Sequence, residues 1–369
     1  MQTTAPEKIR RFRCPGCGAD QQFEPRDGTL TCPYCGRSER IEPEGEGPSE
    51  RSYEEYLRPR EERLGQMAEG ALEAACQTCG AVVSFVPPEV AGECDFCGSP
   101  IVAQPRSADP LVAPEGVLPF SVTKEDAAGA IRRWLASLWF APNALKRLAS
   151  HEGVGGVYIP FWTFDAHTTS RYEGQRGEHY WVTEHYTERD SQGNSVSKTR
   201  QVRHTRWHHA SGTVSRWFDD LLVPATTSLP PQKLSALEPW DTAALVAYDP
   251  AYLSGYKAQR YQVDLAEGFG LAKQLAAPAI EQDVRRDIGG DEQRVSEVST
   301  AYSGITFKHL LLPVYVGAYR FRDRLFQVVI NGRTGEVQGE RPYSFWKIFF
   351  FSLAVVALLV LIVLLFGRR

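Results

Sequence analysis

The chain has 369 residues, a formal net charge of -4, a hydrophobic share of 43% and eight cysteines. That apolar share excludes a disordered chain and is enough for two or three folded units. No global basic excess marks a dedicated nucleic-acid binder, so any electrostatic partner must be read locally.

The opening residues, "MQTTAPEKIRRFRCPGCG", contain no apolar stretch of the signal-peptide kind. This predicts a reducing compartment, the cytoplasm, in which thiols stay free. All eight cysteines fall into two copies of one pattern, "CPGCG" with "CPYC" and "CQTCG" with "CDFC". Sliding the sequence by 62 residues (76 minus 14) lays Cys14, Cys17, Phe23, Cys32 and Cys35 over Cys76, Cys79, Phe85, Cys94 and Cys97, with no insertion between them. One module is therefore used twice.

Two C-x-x-C knuckles brought together by a short hairpin are what a tetrahedral thiolate site needs. A glycine follows the second ligand of each knuckle, at Gly18, Gly36, Gly80 and Gly98, where little room for a Cβ is expected. Each module is too small for an adequate apolar core, so metal binding would supply its folding free energy. The expectation is two closed structural Zn2+ sites, Cys14, Cys17, Cys32 and Cys35 in one and Cys76, Cys79, Cys94 and Cys97 in the other. Disulfides, iron in a rubredoxin-like site, and a pair of interleaved sites are the competing readings. The first ribbon is mildly basic, with Arg10, Arg11 and Arg13 as candidate nucleic-acid or lipid contacts. In the second, Arg106 faces Glu89, Glu93 and Asp95, so the two ribbons are not expected to share a phosphate-binding surface.

The domain reading is ribbon 1 over 8–40, an acidic linker with a short helix over 41–75, ribbon 2 over 76–104, an α+β domain over 116–342 and a transmembrane helix over 345–366. In the linker, "SYEEYLRPREERLGQ" predicts a helix broken near Pro59. "SVTKEDAAGAIRRWLASLWFAP" has a Ser/Thr cap, early acids and an apolar stripe of Ile131, Leu135, Leu138 and Trp139, which predicts a helix followed by a second short one over 143–150. Alternation on either side of "DSQGN" predicts a long antiparallel hairpin. Helix spacing returns in "DLAEGFGLAKQLAAPAIEQDVRRDIGG" and stops at Gly289. Two or three strands follow from Thr306, with a turn at "INGRTG". Helices and antiparallel strands in separate runs predict an α+β fold.

Residues 196–216 are basic without an acid. On a strand, Lys198, Arg200, His204, Arg206 and His208 share one face. Cross-strand pairing with Glu178, Glu184 and Glu188 is the expectation. Contact of Lys198, Arg200 and Arg206 with anionic lipid or nucleic acid is the alternative. No zincin motif, Gly-Lys dipeptide or G-x-S-x-G elbow occurs, so no enzyme is expected. Convergence of His179, His185, His204 and His309 would reopen that question.

Residues 348–366 carry no charge and a single polar side chain, Ser352. At 1.5 Å per residue they cover most of a ~30 Å hydrocarbon core. Tyr343, Phe345, Trp346 and Lys347 read as an interfacial belt and anchor. The expected topology is a tail-anchored, single-pass inner-membrane protein with its bulk in the cytoplasm. A buried core helix is the alternative.

"CPGCG...CPYCG", the block "FKHLLLPVYVGAYRFRDRLFQVVINGRTGEVQGERPYSFWKI" and the apolar terminal stretch together resemble a family of bacterial membrane-bound tandem zinc-ribbon proteins. That family is often catalogued as "primosomal protein N-prime (replication factor Y), superfamily II helicase". The resemblance covers nearly the whole chain. It implies a membrane adaptor in envelope-stress assemblies, beside flotillin-like SPFH-domain and phage-shock-type proteins. The resulting expectation is a non-enzymatic, zinc-binding, membrane-anchored scaffold. A membrane-tethered nucleic-acid-binding protein, replication- or transcription-related, is the second reading.

Overall fold

The computed structural model describes residues 12–42, 47–57, 72–75, 82–85, 91–93, 100–102, 112–142, 154–189, 195–321, 324–341 and 343–366, with backbone alone at 72–102, 318–325 and 361–366. The expected short helix at 143–150, the linker beyond Leu57 and all four cysteines of ribbon 2 lie outside these residues. The architecture is mixed, mostly antiparallel sheet with a few helices.

Ribbon 1 supplies β1 (Gln22–Glu24), β2 (Thr29–Thr31) and β3 (Ser38–Arg40), a small antiparallel sheet. β4 (Arg51–Ser52) and the short helix α1 (Tyr53–Leu57) follow. Ribbon 2 supplies β5 (Leu72–Ala75), β6 (Val82–Phe85), β7 (Ala91–Glu93) and β8 (Pro100–Val102). Two of the ribbon 1 pairings recur here at an offset of 62. The bridge Arg13↔Asp20 returns as Ala75↔Val82, and Thr29↔Arg40 as Ala91↔Val102. The duplication seen in the cysteines is therefore a duplication of hairpin register.

The body begins with β9 (Gly116–Val117) and α2 (Lys124–Ser137). Thr123 caps α2, its hydroxyl oxygen accepting from the Asp126 amide at 3.2 Å. Ile131, Leu135 and Leu138 are buried as the periodicity requires. Trp139 is not: it is 74% exposed, because the helix ends at Ser137 and the residue leaves the apolar stripe.

The central sheet is dominated by β10 (Val154–Arg189) and β11 (Ser195–Pro224), which flank "DSQGN" as expected and pair from Phe161↔Pro224 to Arg189↔Ser195. Between β11 and the next long helix lie α3 (Pro231–Ser235) and two short strands, β12 (Val246–Ala247) and β13 (Lys257–Ala258). Next come α4 (Leu265–Ile288), β14 (Glu292–Phe321), β15 (Arg324–Asn331), β16 (Val337–Gly339) and α5 (Phe345–Phe366). The order across the sheet is β11-β10-β14-β15-β16. Strand β14 starts at Glu292, well before the Thr306 start read from the sequence. Its first half alternates polar residues with only moderately apolar ones, and cross-strand partners on β10 decide its state.

The base of the sheet is covered on both faces. Val157, Ile159, Phe161, Leu310, Leu312 and Val314 pack toward α3 and Trp240. Tyr158, Leu311, Tyr315 and Ile330 pack toward α2 and Phe120. Two-sided burial is why "HLLLPVYVG" reads as a continuous apolar run rather than an alternation. Further out, α4 lays Leu265, Phe269, Ala272, Ala276, Ile280, Val284 and Ile288 along one face only. Beyond the pair Gly177↔Glu292, β14 is spent. From Glu178 to Arg189 and Ser195 to Arg206 the hairpin continues as a two-stranded arm of roughly 40 Å at ~3.3 Å per residue.

Apart from the contacts of its first two turns, helix α5 is uncovered. Phe350, Leu353, Val356, Leu358 and Leu359 are each 55–60% exposed. The buried-core alternative therefore does not describe its resolved turns. Among the described residues no helix is long and apolar enough to cross a membrane. The helical backbone of α5 runs on to Phe366, whereas its described side chains end at Val360.

Candidate metal centre

Four sulfur atoms meet where the two knuckles of ribbon 1 face each other. Cys14 Sγ lies 3.5 Å from Cys35 Sγ, and Cys17 Sγ lies 3.5 Å from Cys32 Sγ. All four lie within 4.8 Å of one another. A disulfide would need about 2.05 Å, so these are separate thiols. Ligands at about 2.3 Å around one tetrahedral ion would be roughly 3.8 Å apart, close to what is seen. The donor set is four soft sulfurs, which suits zinc or iron rather than a hard cation.

The knuckles are built alike. The Cys14 amide donates to the Ala19 carbonyl at 2.7 Å, and the Cys32 amide to the Arg37 carbonyl at 2.9 Å. Gly18 and Gly36 donate back to the Cys14 and Cys32 carbonyls at 2.8 and 3.0 Å. Both glycines have positive φ, 76° and 72°, yet a Cβ at either would meet nothing within 4 Å. The glycine requirement is thus left-handed backbone rather than the crowding expected from the sequence.

The sulfurs compete for ionisation. Amides of Cys35 and Tyr34 pull the Cys32 thiol down to about 6. At Cys17 the Ala19 amide pulls down, but sharing protons with the neighbouring sulfurs and burial prevail and push it up to about 12. Four negative sulfurs this close need a cation to hold them together.

The cage is docked on the body. Phe23, 4% exposed, enters the aromatic cluster of Tyr252 and Tyr256, and its amide donates to the Ser254 carbonyl at 2.9 Å. Ser254 Oγ in turn donates to the Gln21 carbonyl at 2.6 Å. Outward, the knuckle presents Tyr34, 83% exposed. Arg13, next to Cys14 of the other knuckle, is exposed, and Arg10 and Arg11 lie outside the described residues.

The other candidates sit on the arm, where acids face bases across the strands. Lys198 Nζ meets Glu188 at 2.7 Å and Arg200 meets Glu184 at 2.9 Å. Arg206 lies over the Tyr180 ring at 5.0 Å. The four histidines do not converge. His179 meets Glu292 at 2.7 Å, His204 stacks on Tyr180 on the opposite face of the arm, and His309 is buried beside Trp162.

Two buried polar clusters escaped the sequence reading. Lys308 Nζ is 2.9 Å from Asp220 and 3.7 Å from Asp165. Asp165 sits at a β-bulge, accepting from the Asp220 amide at 2.6 Å and the Thr306 hydroxyl at 2.9 Å. Asp220 is the one described non-glycine residue with positive φ, 51°. The lone acid in the apolar run "IPFWTFDA" was the available signal. In the second cluster, Glu115 accepts from the His309 amide at 2.5 Å and pairs with Arg51 at 2.5 Å, while His309 Nδ1 bonds to the Val112 carbonyl at 2.9 Å. Arg51 and Glu115 stand on either side of ribbon 2 in the chain, and the strand at each, β4 and β9, pairs with β14. The expected boundaries, with the body starting at 116, leave out β4, α1 and residues 112–115. A cavity of about 650 Å3 opens between residues 223–231 and α4; Glu267 is the one titratable residue in its lining.

The chain is 26% identical over 247 residues to the uncharacterized protein YdjG of Bacillus subtilis (strain 168), a match covering 64% of this chain. The matched part spans 66% of the length of that relative. No family profile matches the chain, and no solved structure does.

Proposed function

We propose that the protein is a zinc-dependent adaptor held at the cytoplasmic face of a membrane by α5. The observation that carries the reading is one pairing: a four-sulfur cluster docked on a body that also presents an uncovered apolar helix. Among the described residues the donor group is the four cysteines alone, a set that suits a structural rather than a catalytic ion. The repeated hairpin register supports a second ion held by Cys76, Cys79, Cys94 and Cys97. Helix α5 would extend about 33 Å at 1.5 Å per residue, matching a hydrocarbon core of ~30 Å. Separate thiols at 3.5 Å would oxidise outside a reducing space, which supports the cytoplasmic side. Partners of the SPFH or phage-shock type follow from the family resemblance.

Metal analysis of the purified chain tests the core of this: about two zinc ions per chain, falling to about one in Cys32→Ser and in Cys94→Ser. Protein that is metal-free yet folded sinks it. A pull-down in which both variants kept every partner would remove the adaptor role. Exposed Tyr34 favours a second reading, nucleic-acid stacking on the first ribbon. Phosphate contacts must weaken steeply with salt, so salt-independent binding of oligonucleotide, or none, excludes it.

A further inference from the structure

We propose that the turn Leu138–Ala141 of the body is a second bilayer contact, seating Trp139 in the lipid interface beside the first turns of α5. This rests on the reading of α5 as a membrane anchor. The turn and the helix are fastened at three places. The Ser344 amide donates to the Phe140 carbonyl at 2.7 Å. Lys347 Nζ donates to the carbonyls of Trp139 at 3.1 Å and Ala141 at 2.8 Å. The Phe140 ring meets Phe351 edge to face, centroids 5.3 Å apart.

Phe351 lies six residues into α5, about 9 Å along its axis at 1.5 Å per residue. A body side chain therefore reaches the apolar part of the helix itself. Trp139, next to it, is 74% exposed and has no place in the body core. Three more exposed aromatics surround the start of the helix: Tyr343 at 59%, Phe345 at 72% and Trp346 at 66%. Indole and phenol rings gather where one end meets hydrocarbon and the other meets water.

The lysine fits the same picture. The Trp139 and Ala141 carbonyls, in the turn that follows α2, would face a medium short of water, where an unmet acceptor is costly. Lys347 satisfies both, and its charge stands near the negative end of the α2 dipole. It acts as a clamp within the protein rather than the lipid anchor its sequence position suggests. The body is thereby held at one angle to the bilayer instead of swinging on a tether.

The test uses the full chain in vesicles whose lipids carry bromine near the glycerol. Of the eight tryptophans, Trp139 and Trp346 are expected to be quenched, so Trp139→Phe should remove roughly half of the quenchable emission. Lys347→Met should keep the chain on the vesicles while lowering quenching at Trp139. If Trp346 is quenched but Trp139→Phe changes nothing, the turn is not a bilayer contact, although the anchor stands. If the chain does not float with vesicles and neither residue is quenched, the anchor reading fails as well. Loss of Trp139 exposure by contact between copies, without quenching, would also overturn the proposal.

Discussion

Phe23 of ribbon 1 and Tyr252 of the body meet edge to face, ring centroids 5.4 Å apart at 68°. The two lie more than two hundred positions apart, and the contact joins the four-cysteine module to a sheet with a core of its own. Arg26 adds an exposed pair with Asp126 at 3.4 Å, which contributes little. The ring contacts of Phe23, with the hydrogen bonds that join Phe23 and Gln21 to Ser254, couple the units.

Removing the metal should therefore loosen more than the ribbon. Calorimetry of the chain with and without a strong zinc chelator should show the melting temperature of the body falling. Phe23→Ala should cost about 3 kcal/mol, as expected for a buried ring, and abolish the chelator effect. A body transition indifferent to chelator would mean that the ribbon is merely attached.

Glu115 and His309 should give opposite pH slopes. Burial raises Glu115 to about 7 from 4.5, against the pull of the His309 amide and Arg51. The native state therefore holds that proton more tightly, and stability falls as pH rises from 4.5 to 7. Burial lowers His309 to about 4 from 6.5, against bonds to Val112 and Ala113. Here the unfolded state takes the proton first, so stability falls as pH drops from 6.5 to 4.

The two slopes nearly cancel between about 4.5 and 6.5. Denaturant titrations of Glu115→Gln should unmask the histidine, with stability rising over that window by about 2 kcal/mol more than in the parent. His309→Gln should show the reverse. Identical pH profiles in parent and Glu115→Gln would refute the assignment.

Not every ion pair should matter equally. Arg216 grips Asp283 through two bonds of 2.6 and 2.7 Å, and Asp283 is only 14% exposed. Its carboxyl is held below the usual range by that guanidinium. Arg216→Ala should cost about 1–2 kcal/mol. Arg200→Ala, on the open arm, should cost less than about 1 kcal/mol. Equal losses by denaturant melting would mean that the arm carries structural load.

The arm also tells how binding would look if the basic stretch were a contact site. Lys198 and Arg200 are already paired across the strands. Replacing both with Gln should change association with anionic vesicles by less than about twofold, since paired charges attract distant phosphates weakly. A tenfold loss in a flotation assay would show that the pairs open for lipid.

Several features are local in chemistry and were legible in the order of residues alone. Cysteine spacing, the capped helix α2 and the stop of α4 at Gly289 each depend on neighbours within one or two turns of chain, and the 62-residue duplication is read by aligning the chain with itself. A glycine was expected after each knuckle, but for crowding rather than for the left-handed backbone found at Gly18 and Gly36. Apolar alternation likewise announced the hairpin around "DSQGN". Other features belonged to the tertiary structure because their partners are remote. The first half of β14 becomes strand by pairing with β10. Phe23 becomes an anchor only where Tyr252 and Tyr256 await it. Trp139 looked like core until α2 ended two residues too early to bury it. A sequence states what each segment can bury, whereas which surface it is buried against, or whether it is left uncovered as α5 is, depends on contacts that no local pattern encodes.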